Sequence, residues 1–161
     1  MIEAPKYTAS KLVLSPLVLL LLWGTTPGRA HADVNDVNGT LLLKTLSYDK
    51  NLSQRFDGKV VIGVLYPTGQ TAYLATLRTF QNLAQKTTIQ GTAPKVVAVP
   101  FVDAVDLRAT LSRLGVTALF ITPEVSGQVA SITTVAHATR IPTLSFSRAD
   151  AVRGVAIAIA E

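Results

Sequence analysis

From Lys59 onward, the chain alternates between continuous apolar runs and amphipathic segments. The runs "VVIGVLY", "KVVAVPF", "ALFIT" and "IPTLSFS" predict four buried strands, and "VAIAIA" predicts a fifth. Between the strands, apolar residues recur at helical spacing; the first predicted helix shows this with Leu74, Leu77, Phe80 and Leu83. Strands that are apolar on both faces and alternate with helices indicate a parallel sheet with crossover connections. We therefore predict an α/β fold, a three-layer sandwich around a mostly parallel, doubly wound sheet with crossover helices.

A separate helix is predicted before the first strand, from about Val37 to Arg55, within an N-terminal helical segment that covers 33–58. The leucines expected to share its inner face are Leu41, Leu42, Leu46 and Leu52. This segment and the α/β region 59–161 are interpreted as one domain. The sequence ends directly after the fifth predicted strand. Because an apolar last strand leaves an uncovered sheet face or an exposed edge, we interpret the chain as shortened at its C-terminus.

The first 32 residues have the pattern of a secretory signal peptide. Lys6 and Lys11 precede the apolar run "LVLSPLVLLLLW", and Ala30 and Ala32 have the spacing of a cleavage site. The run is too short for a membrane span, which takes about 20 apolar residues. We expect cleavage after Ala32, a periplasmic location and no stable membrane span in the mature protein. An uncleaved N-terminal anchor is the alternative.

Composition excludes several classes of function. The formal charge is +5, but the predicted signal peptide holds three basic residues and one acidic residue, which leaves about +3 for the mature chain. The basic residues are scattered singly, so we predict no binding of nucleic acid. Since cysteine is absent, disulfides, thiolate metal sites and a cysteine nucleophile are excluded. No calcium-loop or zinc spacing is present, and we expect neither a metal nor a cofactor.

The turn "PTGQT" after the first predicted strand is the candidate for phosphate binding. It has one glycine and no lysine, whereas a P-loop needs several glycines and a lysine to surround a phosphate group. Gly63 lies inside the predicted strand without a following glycine pattern, so the dinucleotide-binding fingerprint is also absent. We interpret the segment as a turn at Pro67 and Gly69 before a helix that Thr68 or Thr71 caps.

The sequence does not support an enzyme. Once the predicted signal peptide is removed, His137 is the only histidine, and it lies inside a predicted helix. Ser126 lacks the first glycine of a nucleophile elbow. Ser145, Ser147 and Asp150 are close in sequence, but no base is positioned for them. We therefore predict a protein that acts by binding.

The carboxyl ends of the predicted strands are the expected binding site, because ligands of open α/β sheets bind at that edge. The side chains expected to face a ligand or partner there are Tyr66, Thr68, Asp103, Thr122, Glu124, Ser147 and Arg148. Asp103 and Ser147 are equally good helix caps, so capping alone is the alternative for these two. For Arg148, the alternative to an acidic partner surface is a solvated charge.

Four segments in order resemble the YfiR family of small exported bacterial proteins. They are "LLLKTLSYDKNL", "VVIGVLYP", "VVAVPFVDAVDLRATLSRLGVTALFITPEV" and "ATRIPTLSFSRADAVRGVAIAIAE". The resemblance covers roughly Leu41 to Glu161. It implies a periplasmic regulator that holds an inner-membrane diguanylate cyclase inactive and so restrains cyclic-di-GMP output and biofilm formation. Two departures are that the cysteines of the best-known member are absent and that the family's last strand and helix do not follow Glu161.

The alternative is a small-ligand-binding module. The segments "IGVLYP", "DAVDLRATLSRLGVTALFITPE" and "ATRIPTLSFSRADAVRGVAIAIA" also look like one lobe of a periplasmic solute-binding protein of an ABC transporter. Such a protein needs two lobes and about twice this length. The helix before the first strand favours the regulator. A homodimer is a further possibility, since an exposed last strand invites pairing between chains.

Overall fold

The computed structural model describes residues 28–50, 52 and 57–159, with side chains from residue 36 onward. Most of the predicted signal peptide lies outside the described residues, and its last five residues belong to the first helix. In chain order the elements are α1 (Gly28–Ser47), β1 (Val61–Pro67), α2 (Tyr73–Lys86), β2 (Lys95–Phe101), α3 (Ala104–Leu114), β3 (Ala118–Ile121), a 3₁₀ helix (Pro123–Gln128), α4 (Val129–Ala138), β4 (Thr143–Ser145), α5 (Arg148–Val152) and β5 (Ile157–Ala158).

The five strands form one sheet in the order β2-β1-β3-β4-β5, and every neighbouring pair is parallel. In the register, Ile62 of β1 lies opposite Val96 of β2 on one side and Ala118 of β3 on the other. The chain adds β2 on one side of β1 and then crosses back to add β3 on the other side. This reversal makes the sheet doubly wound, and the predicted α/β fold is confirmed.

Two apolar clusters, one on each face, hold the helices to the sheet. Ile62 and Val64 of β1 belong to the cluster that includes leucines of α1 and Phe80 of α2. Leu65 points to the other face, where the cluster includes Leu107 and other residues of α3 and α4. The strand alternates its side chains between two covered faces, which explains its continuous apolar sequence. Helices on both faces give the three layers.

The N-terminal helix differs from its prediction in bounds and orientation. It begins at Gly28 rather than near Val37, and α1 ends at Ser47 because Tyr48 and Asp49 form turns back to Thr45 and Leu46. The predicted inner face was wrong at Leu41, which is 44% exposed, whereas Leu43 is fully buried. The predicted end of this helix, Arg55, lies outside the described residues. The helix nevertheless packs on the first face of the sheet as expected, through Leu42, Leu43 and Leu46.

The last two strands are shorter than their apolar runs. The run "IPTLSFS" contributes only Thr143–Ser145, and "VAIAIA" contributes only Ile157–Ala158. A buried side chain accepts a backbone hydrogen bond next to the short last strand: the N–H of Ala156 donates to Thr143 Oγ1 at 3.1 Å. Among the residues that the structure describes, no helix has both the length and the apolar character that a membrane crossing requires.

Candidate functional site

All seven predicted site residues lie at the edge of the sheet formed by the C-terminal ends of the strands, here called the carboxyl edge. Tyr66 lies near the end of β1, Thr68 follows β1, and Asp103 follows β2. The remaining residues follow β3 (Thr122 and Glu124) and β4 (Ser147 and Arg148). Parallel strands bring these loops to one edge, so the common position was predictable. The binding role of these residues stays a prediction.

Two tyrosine rings stack at the connection between β1 and α2. The ring centroids of Tyr66 and Tyr73 lie 3.6 Å apart, with an angle of 12° between the ring planes. Burial raises the pKa of the Tyr66 phenol above its usual value of 10.0, and a hydrogen bond and charge interaction with Tyr73 raise it further. Tyr73 was not predicted as part of the site, because the path of the turn between β1 and α2 decides which side chain stacks on Tyr66.

The turn between β1 and α2 has no capping side chain. Gly69 has a φ of 84°, and the N–H of Gln70 donates to the carbonyl of Pro67 at 3.4 Å, which confirms the predicted turn. The predicted cap by Thr68 or Thr71 was wrong, since the N-cap of α2 is Ala72 and no side chain bonds to the helix end. The helix begins in helical backbone geometry at Ala72, so the threonines remain outside it.

The two candidate caps after β2 and β4 behave differently. The Oδ1 atom of Asp103 accepts hydrogen bonds from the N–H groups of Val105 and Asp106, both at 2.8 Å, so Asp103 caps α3. Ser147 occupies the N-cap position of α5, but its side chain makes no capping bond. The interpretation of Asp103 as a cap alone accounts for its position, whereas Ser147 keeps a hydroxyl that capping does not use.

Three buried side-chain oxygen atoms in the described part of the chain have no hydrogen-bond partner: Thr122 Oγ1, Glu124 Oε2 and Asp150 Oδ1. All three lie in the segments that follow β3 and β4, which are neighbouring strands. Leaving one such acceptor unpaired costs about 1–3 kcal/mol. These oxygens are enclosed by the protein, so they mark the two loops as a polar and energetically costly part of the carboxyl edge.

A pocket of about 250 Å³ opens between these two loops. We call it the serine pocket; its walls include apolar Ile121 and Phe146 and polar Ser126, Ser145, Ser147 and Asp150. Ser145 and Asp150 are 2% and 3% exposed, so they form the buried polar part. Of the predicted site residues, only Ser147 lines this pocket. Ser145 and Asp150 are close in sequence, but their contact could not be predicted without the fold.

Exposed apolar side chains occupy two surfaces. Seven large apolar residues are exposed in the described part: Val37, Leu41, Tyr48, Leu74, Val102, Val105 and Val152. The first three lie on α1 or directly after it and are here called the helix patch. The other four are here called the apolar rim: Leu74 in the first turn of α2, Val102 directly after β2, Val105 at the start of α3 and Val152 at the end of α5. The first three of these lie at the carboxyl edge.

The described residues contain no group of three or more histidine, aspartate or glutamate side chains that could hold a metal ion. Arg148 begins α5 and is exposed, so it is accessible to an acidic partner and equally to solvent. The carboxyl edge therefore offers hydrogen-bond acceptors, a small pocket and an apolar rim. That combination suits binding.

No protein-family model and no curated protein matches this chain. Solved structures similar to it include a substrate-binding protein with adhesive properties from Clostridium difficile in its ligand-free, open form, with 19% identity, a TM-score of 0.48, and coverage of 65% of this chain and 36% of that one. Another is a fatty acid ABC transporter substrate-binding protein from Thermomonospora curvata, with 22% identity, a TM-score of 0.47, and coverage of 69% and 27%.

The matched region therefore spans about a third of those two proteins or less. A likeness of this size carries no argument about what the chain binds. It also does not bear on the resemblance to the YfiR family, which stays a prediction.

Proposed function

We propose that this protein is an exported, non-enzymatic regulator of the YfiR type, which binds a membrane signalling protein and restrains it. The observation that supports this function is the position of its exposed apolar side chains. Every large apolar residue exposed in the described part belongs to the helix patch or to the apolar rim. Exposed apolar side chains such as these are available for a second protein to cover.

The shape of the apolar rim favours a protein over a solute. Val105 and Val152 are 83% and 90% exposed, so their side chains project outward. A solute site has its apolar groups on the inner walls of a cleft, where they surround most of the ligand. Projecting side chains instead fit into depressions of a second protein surface.

The described side chains also favour binding over catalysis. His137, the one histidine among them, is in the last turn of α4. Because α4 runs back from the carboxyl edge, His137 lies at the opposite edge of the sheet from Ser145 and Asp150. These two therefore have no histidine base, which a serine nucleophile of the usual kind requires.

The partner that the resemblance implies is the periplasmic domain of an inner-membrane signalling protein, with a diguanylate cyclase as the model. Binding would restrain cyclic-di-GMP output and, through it, biofilm formation. The basic excess of the mature chain suits a partner surface with acidic groups. A homodimer would cover the same apolar residues and is the competing occupant.

The test is recovery of the partner from solubilised membranes with tagged Val105→Asp protein. Val105 lies in the first turn of α3, where the helix dipole favours an acidic side chain, so this change leaves the fold stable. We expect Val105→Asp to lower recovery of a membrane signalling protein at least tenfold. The matched control is Thr88→Asp, because threonine has the shape of valine and Thr88 is exposed in the loop before β2.

Equal recovery by the two variants would remove the apolar rim from the interface. If sedimentation instead shows that the unaltered chain is a dimer and that Val105→Asp is a monomer, the rim is a contact between copies. Recovery of no membrane protein by the unaltered chain would reject the regulator.

A further inference from the structure

A groove of about 460 Å³ lies between α3 and α4, on the second face of the sheet. Val116 directly precedes the segment of β3 and Ile141 that of β4, so the groove is at the amino ends of these strands, opposite the carboxyl edge. It is here called the amino-edge groove. Leu111, Val116 and Ile141 line it and are 1%, 2% and 5% exposed, so they form an apolar floor.

Two side chains of α3 offer hydrogen-bond donors above this floor. Arg108 and Ser112 both line the groove and both are exposed. Their spacing of four residues places them on the same side of the helix, with Cβ atoms about 5–6 Å apart. Neither side chain has a hydrogen-bond or ion-pair partner among the residues that the structure describes. The guanidinium group and the hydroxyl group are therefore both accessible to a ligand that carries acceptors.

The charge around the groove favours an anion as that ligand. The two segments that line it, 108–116 and 138–141, contain Arg108, Arg113 and Arg140 and no acidic residue. A guanidinium group binds carboxylates through charge-assisted hydrogen bonds, often with two of its N–H groups at once. An ammonium ligand would meet this positive charge without a carboxylate to balance it.

The ends of α3 and α4 do not provide an alternative site for a cation. Helix C-termini carry partial negative charge on their last carbonyl groups. Here the N–H of Val116 donates to the carbonyl of Leu111 at 3.0 Å, and the N–H of Ile141 donates to the carbonyl of Ala136 at 2.8 Å. These carbonyl groups are therefore already bonded within the chain.

We propose that the amino-edge groove binds a small apolar carboxylate. The carboxylate group accepts from the guanidinium of Arg108 and from the hydroxyl of Ser112, and the apolar body lies on the floor between α3 and α4. At about 30 Å³ for each water-sized group, the groove has room for roughly 15 of them, which limits the ligand to a small molecule. The site does not depend on the protein partner proposed above, because the groove contains no residue of the helix patch or the apolar rim.

The test is a titration of the ¹⁵N-labelled full-length chain with 4-phenylbutanoate at low salt, followed through the backbone amide signals. This probe has one carboxylate and an apolar body, and it is small enough for the groove. We expect saturable shifts centred on residues 111–116 and 138–141. The neutral 4-phenylbutanamide and the cationic 4-phenylbutylammonium should each bind at least about fivefold more weakly, the factor that one exposed ion pair contributes. Added salt should weaken binding of the carboxylate but not of the amide.

Arg108→Gln removes the charge and keeps an exposed polar side chain on α3. It should weaken binding of 4-phenylbutanoate at least about fivefold and leave binding of the amide unchanged. The matched control is Arg78→Gln, because Arg78 is an exposed arginine of α2, which packs on the opposite face of the sheet. This control should bind the carboxylate as the unaltered chain does.

A second variant tests the position of the ligand. Ala138 is exposed and lines the groove, so the ring of Ala138→Phe can fill the groove without entering the core, and it should abolish the shifts. Ala75→Phe, at an exposed alanine of α2, should retain them.

Equal affinities for the carboxylate and the amide, or full binding by Arg108→Gln, would reject the role of Arg108. Tighter binding of the ammonium compound would reject the preference for an anion. Absence of saturable shifts in the unaltered chain, or their retention in Ala138→Phe, would reject the site.

Discussion

Ser145 and Asp150 form a buried hydrogen-bonded pair that joins the end of β4 to α5. The hydroxyl group of Ser145 donates to Asp150 Oδ2 at 2.5 Å, and the two side chains are 2% and 3% exposed. The N–H of Val155 also donates to the carbonyl of Asp150 at 3.1 Å, so the same residue fixes the path from α5 into β5. The pair therefore positions both the serine pocket and the last strand.

Replacement of Ser145 by alanine should destabilise the protein by about 1–3 kcal/mol. Without the hydroxyl group, both oxygens of the buried Asp150 carboxylate would lack a hydrogen bond, and the N–H of Ser147 would lose its acceptor. The measurement is the free energy of unfolding from urea titration. Ser147→Ala is the control, because that side chain makes no capping bond, and it should change the value by less than about 0.5 kcal/mol. Equal effects of the two changes would contradict the importance of the pair.

The buried face of α1 should be essential for stability. Leu46 is fully buried in the cluster on the first face of the sheet, so Leu46→Asp would place an unpaired carboxylate in an apolar core. We expect a loss of more than about 4 kcal/mol, which a thermal unfolding experiment would detect as a large fall in Tm. Leu42→Asp should cause a similar loss of stability, because Leu42 is also fully buried in this cluster.

Leu41 provides the control for this helix. It lies on α1 but is 44% exposed, so Leu41→Asp should change the free energy of unfolding by no more than about 0.5 kcal/mol. If Leu46→Asp left Tm unchanged, α1 would not be part of the core.

The strands and their common edge could be predicted because each strand is covered on both faces and so leaves a continuous apolar run. Asp103 shows how far local patterns extend: its position directly before an amphipathic segment predicts a cap, and it accepts two backbone hydrogen bonds there. The exposed side of α1 was harder to predict. Leu41, Leu42 and Leu43 are consecutive, so spacing alone does not determine which of them faces outward.

The serine pocket depends on relationships that sequence patterns do not contain. Ser126 and Arg153 are 27 positions apart, and they meet because β3 and β4 are neighbours in the sheet. The distance along the sequence does not show which strands become neighbours, so the contact becomes visible only in three dimensions. The spacing of Ser145 and Asp150 is a local signal, but the sequence alone does not show that the two side chains line a pocket.

Gly63 should be required inside β1 because no side chain fits there. A Cβ atom at this position would lie 2.8 Å from Cγ2 of Val99 and 3.1 Å from Cγ1 of Val116. Both valines are buried, so neither can move without disturbing the second apolar cluster. We expect Gly63→Ala to destabilise the protein by about 1–3 kcal/mol in a urea titration.

Two further variants separate crowding from the general effect of losing a glycine. Gly127→Ala should have little effect, because a Cβ atom there meets nothing within 4 Å. The double change of Gly63→Ala with Val99→Ala should be less harmful than the sum of the two single changes, since the second makes room for the first. Strict additivity would show that the contact with Val99 is not the cause.

Stability should fall at alkaline pH because of Tyr66. Burial, followed by the interactions with Tyr73, raises the pKa of the Tyr66 phenol above 10.0 in the folded protein. Between the unfolded and the folded pKa, the unfolded chain has released this proton and the folded chain has kept it, so rising pH favours unfolding. The contribution of Tyr66 is complete below about pH 9 and is lost as pH rises through the folded pKa.

The measurement is the difference in free energy of unfolding between the unaltered protein and Tyr66→Phe, followed from pH 8 to pH 11 in steps of about half a unit. The two proteins differ only at this phenol, so the difference reports the contribution of Tyr66. We expect this difference in free energy of unfolding to be constant at the lower pH values. Above about pH 10 it should fall steadily, as the unaltered protein loses stability relative to Tyr66→Phe. Tyr73→Phe removes both lesser causes, the hydrogen bond and the charge interaction, and leaves burial of Tyr66 in place, so it should reduce this slope without abolishing it. Parallel curves over the whole range would mean that Tyr66 titrates alike in the folded and unfolded chains, and the stacked pair would then have no influence on its proton.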